Sequence, residues 1–142
     1  IAVETGLFVP LSSLKFAIQH IDLFYVDVKI IDKMKCKEIE HGSLSQYLEN
    51  YETLIYSGKP VIVRIPVIGG YTDNAENRKL VKELLQRFRP LKIELIKEHN
   101  LGESKYKSLG MTMDYHGVKD ETIEQYRNEL SELGIPMEIC RP

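Results

Sequence analysis

The run Lys59-Pro60-Val61-Ile62-Val63-Arg64-Ile65-Pro66-Val67-Ile68-Gly69-Gly70 constrains the fold of this chain more than any other stretch. It is the strongest apolar run in the sequence, β-branched and bounded by Gly58-Lys59-Pro60 and Gly69-Gly70, which is how a strand buried on both faces reads. Arg64 sits in its middle. A guanidinium cannot escape burial by deprotonating, so inside a protein it is paired or it faces a polar cavity. Alternation puts Arg64 on the side of Ile62, Pro66 and Ile68, opposite Val61, Val63, Ile65 and Val67. Two readings stand: a structural ion pair, or an anionic ligand group held on a central strand. Polar groups on the matching face of the other strands bear on the choice.

Those strands emerge along the chain. Ile1-Ala2-Val3 reads as a strand ending at Glu4-Thr5-Gly6, and Val9 to Ile21 has helical spacing with Pro10 in its first turn. Leu23 to Lys29 is a second strand, with Leu23, Tyr25, Asp27 and Lys29 on one face. Ile30 to Glu40 predicts a short helix capped by Asp32, and Ser45 to Tyr56 a longer one stopped by Gly58. After the Arg64 strand, Thr72 or Asp73 can cap a helix running to about Phe88, which Pro90 ends. Lys92 to Lys97 is the fourth strand, with Glu94 and Ile96 opposite Ile93, Leu95 and Lys97. An irregular stretch from Glu98 to Lys119 follows, then a helix from Asp120 to Leu133 ended by Gly134, and a short tail strand over Pro136 to Cys140.

Strand–helix alternation of this kind predicts parallel strands, with the crossover helices covering the outer face of the sheet. Asp27 with Lys29, Arg64 and Glu94 then share the other face, which suits the interior of an open or closed α/β barrel. Ligands there sit at the carboxyl ends of the strands, where Glu4-Thr5, Asp27-Lys29 and His99 fall. The 142 residues suit one domain. A net charge of -2 disfavours non-specific nucleic-acid binding, and no apolar run approaches membrane-spanning length. Cys36 and Cys140 lie far apart without metal-ligand spacing, which points to a reducing cytoplasm. His20, His41, His99 and His116 fall on different elements and suggest no catalytic cluster.

Taken in order, Glu4-Thr5-Gly6 with Phe8-Val9, Asp27-Val28-Lys29, Val63-Arg64-Ile65-Pro66, Asp73 with Asn77, and Ile93-Glu94-Leu95 form a set. They lead into His99, Leu101-Gly102, Lys105-Tyr106 and Leu109-Gly110. In these pieces, from Val3 to about Ile139, the chain resembles the activating enzymes of glycyl radical enzymes, a branch of the radical S-adenosylmethionine proteins of which the pyruvate formate-lyase activating enzyme is the nearest named type. The resemblance implies the last four βα units of a six-stranded partial (β/α) barrel over residues 1–142. It also implies a [4Fe–4S] cluster held by Cys-x-x-x-Cys-x-x-Cys, and a Gly-Gly-Glu-Pro-like turn for the amino group of S-adenosylmethionine. Neither motif is in this sequence, so both are expected upstream of Ile1, which agrees with the absent initiator Met.

The family's chemistry is reductive cleavage of S-adenosylmethionine to a 5′-deoxyadenosyl radical, which takes a hydrogen from a backbone glycine of the partner enzyme. A flavodoxin or ferredoxin is implied as electron donor. This piece alone is expected to carry no catalytic residue and to be inactive. Resemblance places Asp27, Lys29, Arg64, His99 and Thr5 around S-adenosylmethionine, with Glu4 and Asp27 as possible ligands of a small cation. Glu94 buttresses Arg64. The loop from Glu98 to Gly117 is the candidate docking element for the partner. Lys97-Glu98 and Gly69-Gly70 depart from the family's Pro-Tyr and Pro-Gly, which leaves open the identity of the enzyme served. The alternative is a non-catalytic α/β binding module that retains the ligand-facing positions.

Overall fold

The computed structural model describes residues 1–32, 43–97 and 119–140. Along the chain run β1 (Ala2–Thr5), α1 (Leu11–His20), β2 (Leu23–Asp27), α2 (Leu44–Tyr56), β3 (Val61–Val67), α3 (Ala75–Arg87), β4 (Lys92–Lys97), α4 (Asp120–Ser131) and β5 (Met137–Cys140). The strands form one sheet in sequence order, and every pairing is parallel. The expected tail strand is therefore a fifth member of the sheet, added beyond the four strands read as βα units.

Phe24, Val26, Val63, Ile65, Ile93 and Leu95 are buried in a single cluster with Leu14, Tyr51, Leu85, Ile123 and Leu130 from the four helices. Those strand residues share one parity, so the helices lie on one side of the sheet, as right-handed crossovers between adjacent parallel strands require. The other parity, carrying Tyr25, Arg64 and Glu94, is only partly covered.

Pro66 lies inside the central strand, where its missing N–H would ordinarily cost a ladder bond. The β2–β3 ladder, however, ends at Asp27 opposite Arg64. The Arg64 carbonyl, on the β2 side, takes the Val28 amide at 2.9 Å. Pro66 has the same parity, so its nitrogen faces the β2 side beyond the last ladder pair.

Helix starts differ from the sequence reading at two places. Asn74, rather than Thr72 or Asp73, caps α3, its side chain accepting the Asn77 amide. The Thr72 hydroxyl is committed to the preceding turn, accepting from the Ile68 amide and donating to the Pro66 carbonyl, both at 2.8 Å. Asp73 accepts the Gly70 amide at 2.9 Å. Asp120 is the first residue of α4 rather than its N-cap, a position held by Lys119, which makes no side-chain cap bond. The Asp120 carboxylate still sits in the first turn, where the helix dipole favours it, and pairs with Lys97 of β4 at 2.8 Å.

Ser43 caps α2, and Gly58 beyond its end adopts φ 80°, a left-handed value that glycine reaches without steric cost. Of the helix expected from Ile30 to Glu40, residues 30–32 are not helical and residues 33–40 lie outside the described residues. No helix among the described residues is long and apolar enough to cross a membrane.

Candidate functional site: the polar face of the sheet

Register places Asp27, Arg64, Glu94 and Glu138 side by side across β2, β3, β4 and β5. The row one step toward the strands' amino ends runs Glu4, Tyr25, Ile62 and Lys92. Strand pairing alone thus gathers ionised groups from all five strands on the face away from the helices.

Arg64 is the centre of the two rows. Its Nη1 donates to Glu4 Oε1 at 2.8 Å, its Nε lies 3.4 Å from Glu94 Oε1, and its guanidinium stands 5.7 Å from the Tyr25 ring centroid. The arginine thus reaches across β2 to β1, with the Tyr25 π-face beneath it, an arrangement that suits a delocalised cation. Neither ion-pair contact uses Nη2, and the side chain is 28% exposed on the open face. Arg64 is therefore ion-paired, as one of the two sequence readings has it, and its side chain remains partly exposed on the open face. Glu94 buttresses Arg64 as expected; Glu4 is a partner the sequence reading did not name.

Around this centre, Lys92 lies 3.5 Å from Glu94 and 2.8 Å from Glu138. The hydrogen bond to Glu138 raises the ammonium pKa of Lys92, and the same bond lowers that of the Glu138 carboxyl, so both stay charged near neutrality. At the carboxyl-terminal rim Lys29 Nζ is 3.8 Å from Asp27 Oδ2. The face carries the carboxylates of Glu4, Asp27, Glu94 and Glu138 and the cations of Lys29, Arg64 and Lys92. The two signs nearly balance, four carboxylates against three cations.

The backbone beyond β2 is tied to the helix layer. Tyr47 of α2 donates its hydroxyl to the Asp27 carbonyl at 2.7 Å. Asn77 of α3 donates to the Lys29 carbonyl at 2.7 Å and accepts from the Ile31 amide at 2.8 Å.

Asp27, Lys29 and Arg64 are thus brought to one face. Thr5 is not: it is in register with Val26, on the helix-facing row, and its hydroxyl accepts the Leu7 amide at 3.0 Å. Glu4 shares the polar face with Asp27 but is engaged by Arg64. Among the described residues, the side chains gathered closely enough to hold a metal are instead Glu94, Glu138 and Cys140, beside the Lys92 ammonium. Lys97 turns to Asp120 of α4 rather than to the polar face. His99 and the loop from Glu98 to Gly117 lie outside the described residues. Lys92 and Glu138 were missed by the sequence reading, and Tyr25 was placed on this face without a role, although the parity that selected Asp27, Arg64 and Glu94 selects all three.

A [4Fe–4S] cluster does not fit this chain's own residues: it needs three converging thiolates, and the sequence has two cysteines, of which Cys140 is on β5 and Cys36 lies outside the described residues.

A sequential parallel sheet with helices on one face and ionised rows on the other is the architecture of a partial (β/α) barrel. The comparisons with known proteins agree. The chain is 30% identical over 135 residues to the 4-hydroxyphenylacetate decarboxylase activating enzyme of Clostridioides difficile strain CD196, covering 93% of this chain and 42% of that enzyme. It is 33% identical over 111 residues to the pyruvate formate-lyase 2-activating enzyme of Escherichia coli K12, covering 78% of this chain and 38% of that enzyme. Its relatives are glycyl radical enzyme activating enzymes, and the chain spans 42% of the length of the first of them.

Among solved structures, a domain of a pyruvate-formate lyase-activating enzyme from Bacteroides vulgatus superposes with a TM-score of 0.80 at 21% identity, over 98% of this chain and 80% of that one. A radical SAM methyltransferase from Sphaerobacter thermophilus gives 0.73 at 14% identity, over 99% of this chain and 40% of that one. These two likenesses establish the fold. No protein-family model matches the chain.

Proposed function

We propose that this chain is the part of a glycyl radical enzyme activating enzyme that holds S-adenosylmethionine against the inner face of the barrel. When bound, S-adenosylmethionine supplies the 5′-deoxyadenosyl group that takes hydrogen from a backbone glycine of a partner enzyme. The partner is a glycyl radical enzyme, and a flavodoxin or ferredoxin serves as electron donor.

The observation that carries the reading is the row Asp27, Arg64, Glu94 with Lys29 at its rim, held on the face opposite the helices. S-adenosylmethionine carries an ammonium, a carboxylate and a sulfonium, so it needs both signs at fixed spacing. Arg64 and Lys29 offer donors to the carboxylate and ribose, and Asp27 offers an acceptor to the amino group. Glu4 and Glu94 keep the guanidinium from swinging and balance its charge, which orients Nη2 without leaving a naked cation beside a sulfonium. The sequence resemblance supports His99 as a further contact to S-adenosylmethionine. The helix layer seals the opposite side of the sheet from water.

The test uses the full-length protein, reconstituted with iron and sulfide, reduced, and mixed with S-adenosylmethionine and glycyl radical enzymes of the decarboxylase and formate-lyase kinds. Formation of the doublet electron paramagnetic resonance signal of a glycyl radical in one partner, with 5′-deoxyadenosine released, is the expected result. Binding of S-adenosylmethionine without its cleavage would instead show a binding module that has kept the ligand positions only.

A further inference from the structure

We infer that Asn77 and Tyr47 are positioning residues, which set the backbone that carries Asp27 and Lys29 to the ligand. The inference rests on the proposed function and goes beyond it, because neither side chain is on the polar face.

The β2 ladder ends at Asp27, so the polar backbone groups of the next four residues cannot be satisfied by strand pairing alone. Their partners come from three elements, β3, α2 and α3. The Val28 amide goes to the Arg64 carbonyl at 2.9 Å. The Asp27 carbonyl takes the Tyr47 hydroxyl at 2.7 Å, the Lys29 carbonyl takes Asn77 Nδ2 at 2.7 Å, and the Ile31 amide goes to Asn77 Oδ1 at 2.8 Å.

Asn77 is 1% exposed and uses both ends of its amide, donating also to the Thr72 carbonyl at 3.0 Å. It occupies the first turn of α3, where its own amide is fixed by the Asn74 cap. Tyr47 is 3% exposed in the first turn of α2. The tip of β2 is thus bolted to the starts of two helices, on the carbonyls of the two residues whose side chains meet at 3.8 Å on the polar face. Loosening either bolt lets the Asp27–Lys29 pair drift, with no change in any group that touches ligand.

The test measures S-adenosylmethionine affinity by equilibrium titration of the cluster-loaded full-length protein, with hydrogen exchange at the Ile31 amide as a second readout. Asn77→Asp keeps the acceptor for Ile31 and suits a first-turn position, where the helix dipole favours an acid, but replaces both donor bonds with a carboxylate oxygen facing the carbonyls of Lys29 and Thr72. Tyr47→Phe keeps the ring and loses only the bond to Asp27. Expected are a rise in dissociation constant of about tenfold for Asn77→Asp and about threefold for Tyr47→Phe, the scale of one or two lost hydrogen bonds. Because Asn77 acts through Lys29, adding Asn77→Asp to Lys29→Ala should weaken binding less than about twofold further, the sub-additivity expected of coupled residues.

Unchanged affinity in Asn77→Asp, or its full effect persisting in the Lys29→Ala background, overturns the positioning role. If Asn77→Asp does not fold, wild-type affinity in Tyr47→Phe overturns it on its own. A wild-type protein that binds no S-adenosylmethionine sinks the proposed function and this inference with it, a result distinct from normal wild-type binding with unaffected variants.

Discussion

Asn50 of α2 should be among the most costly polar residues to remove. Its Nδ2 donates to the carbonyls of Leu7 and Val9, both at 2.8 Å, and the side chain is fully buried. Leu7 has φ 61°, the left-handed region that costs an L-residue with a branched side chain about 1–2 kcal/mol, so the β1–α1 turn needs outside support. In Asn50→Ala the Leu7 carbonyl is left buried and unpaired and the Val9 carbonyl partly so, together about 2–4 kcal/mol. Against this, Asn50 Oδ1 has no hydrogen-bond partner among the described residues, and deleting it recovers about 1 kcal/mol of desolvation. The carbonyl loss wins, for a net destabilisation of about 1–3 kcal/mol. With a urea slope of about 2 kcal/mol/M, the unfolding midpoint should fall by about 0.5–1.5 M, while exposed Glu49→Ala should leave it nearly unchanged. A midpoint shift below about 0.3 M for Asn50→Ala would show that those carbonyls do not depend on Asn50.

Arg78, 9% exposed, joins α3 to α4 through Glu129 at 3.0 Å and also donates to the Asp73 carbonyl. Arg78→Met should cost about 2 kcal/mol in urea titration, a buried-pair loss discounted for the partly exposed Glu129, and Arg78→Lys should not restore it because one ammonium cannot serve both partners. Gly58→Ala should cost about 1 kcal/mol by the same assay, since φ is 80° while nothing lies within 4 Å of the added Cβ and only backbone strain opposes it. Burial, then Glu94 and Glu138, push the Cys140 thiol above its ordinary range. Less thiolate is therefore present at a given alkaline pH than for a free cysteine. Alkylation of the Cys140 peptide, followed by mass spectrometry, should rise along a curve displaced to higher pH, and Glu138→Gln should move that curve back down.

Much of this architecture was legible because period-two alternation is a local property. The parity of Val61, Val63, Ile65 and Val67 against Ile62 and Arg64 assigns each side chain to a face before any strand is paired. Long-range register is what the sequence withheld. Glu4 meets Arg64 only because Glu4 falls opposite Tyr25 and Asp27 opposite Arg64, offsets set by how the connecting helices pack. The same register sends Thr5 to the helix side, against its expected place in the ligand shell. Thr72, Asp73 and Asn74 are all competent caps, and the choice among them turns on the β3–α3 turn claiming the first two. Asn77 was visible as part of a family pattern, but its role was not, since its partners are main-chain groups 46 and 48 residues away in sequence.

The decisive measurement for a ligand site on the polar face is S-adenosylmethionine affinity without Arg64. In the cluster-loaded full-length protein, the S-adenosylmethionine dissociation constant is measured by equilibrium titration for wild type, Arg64→Ala and Lys29→Ala. If the polar face holds the ligand, Arg64→Ala should weaken binding about 30-fold or more, the loss of a charge-assisted contact of about 2 kcal/mol, and by more than Lys29→Ala, whose flexible rim ammonium is the more replaceable group. Wild-type affinity in Arg64→Ala would confine Arg64 to its ion pairs with Glu4 and Glu94 and contradict a ligand site on this face.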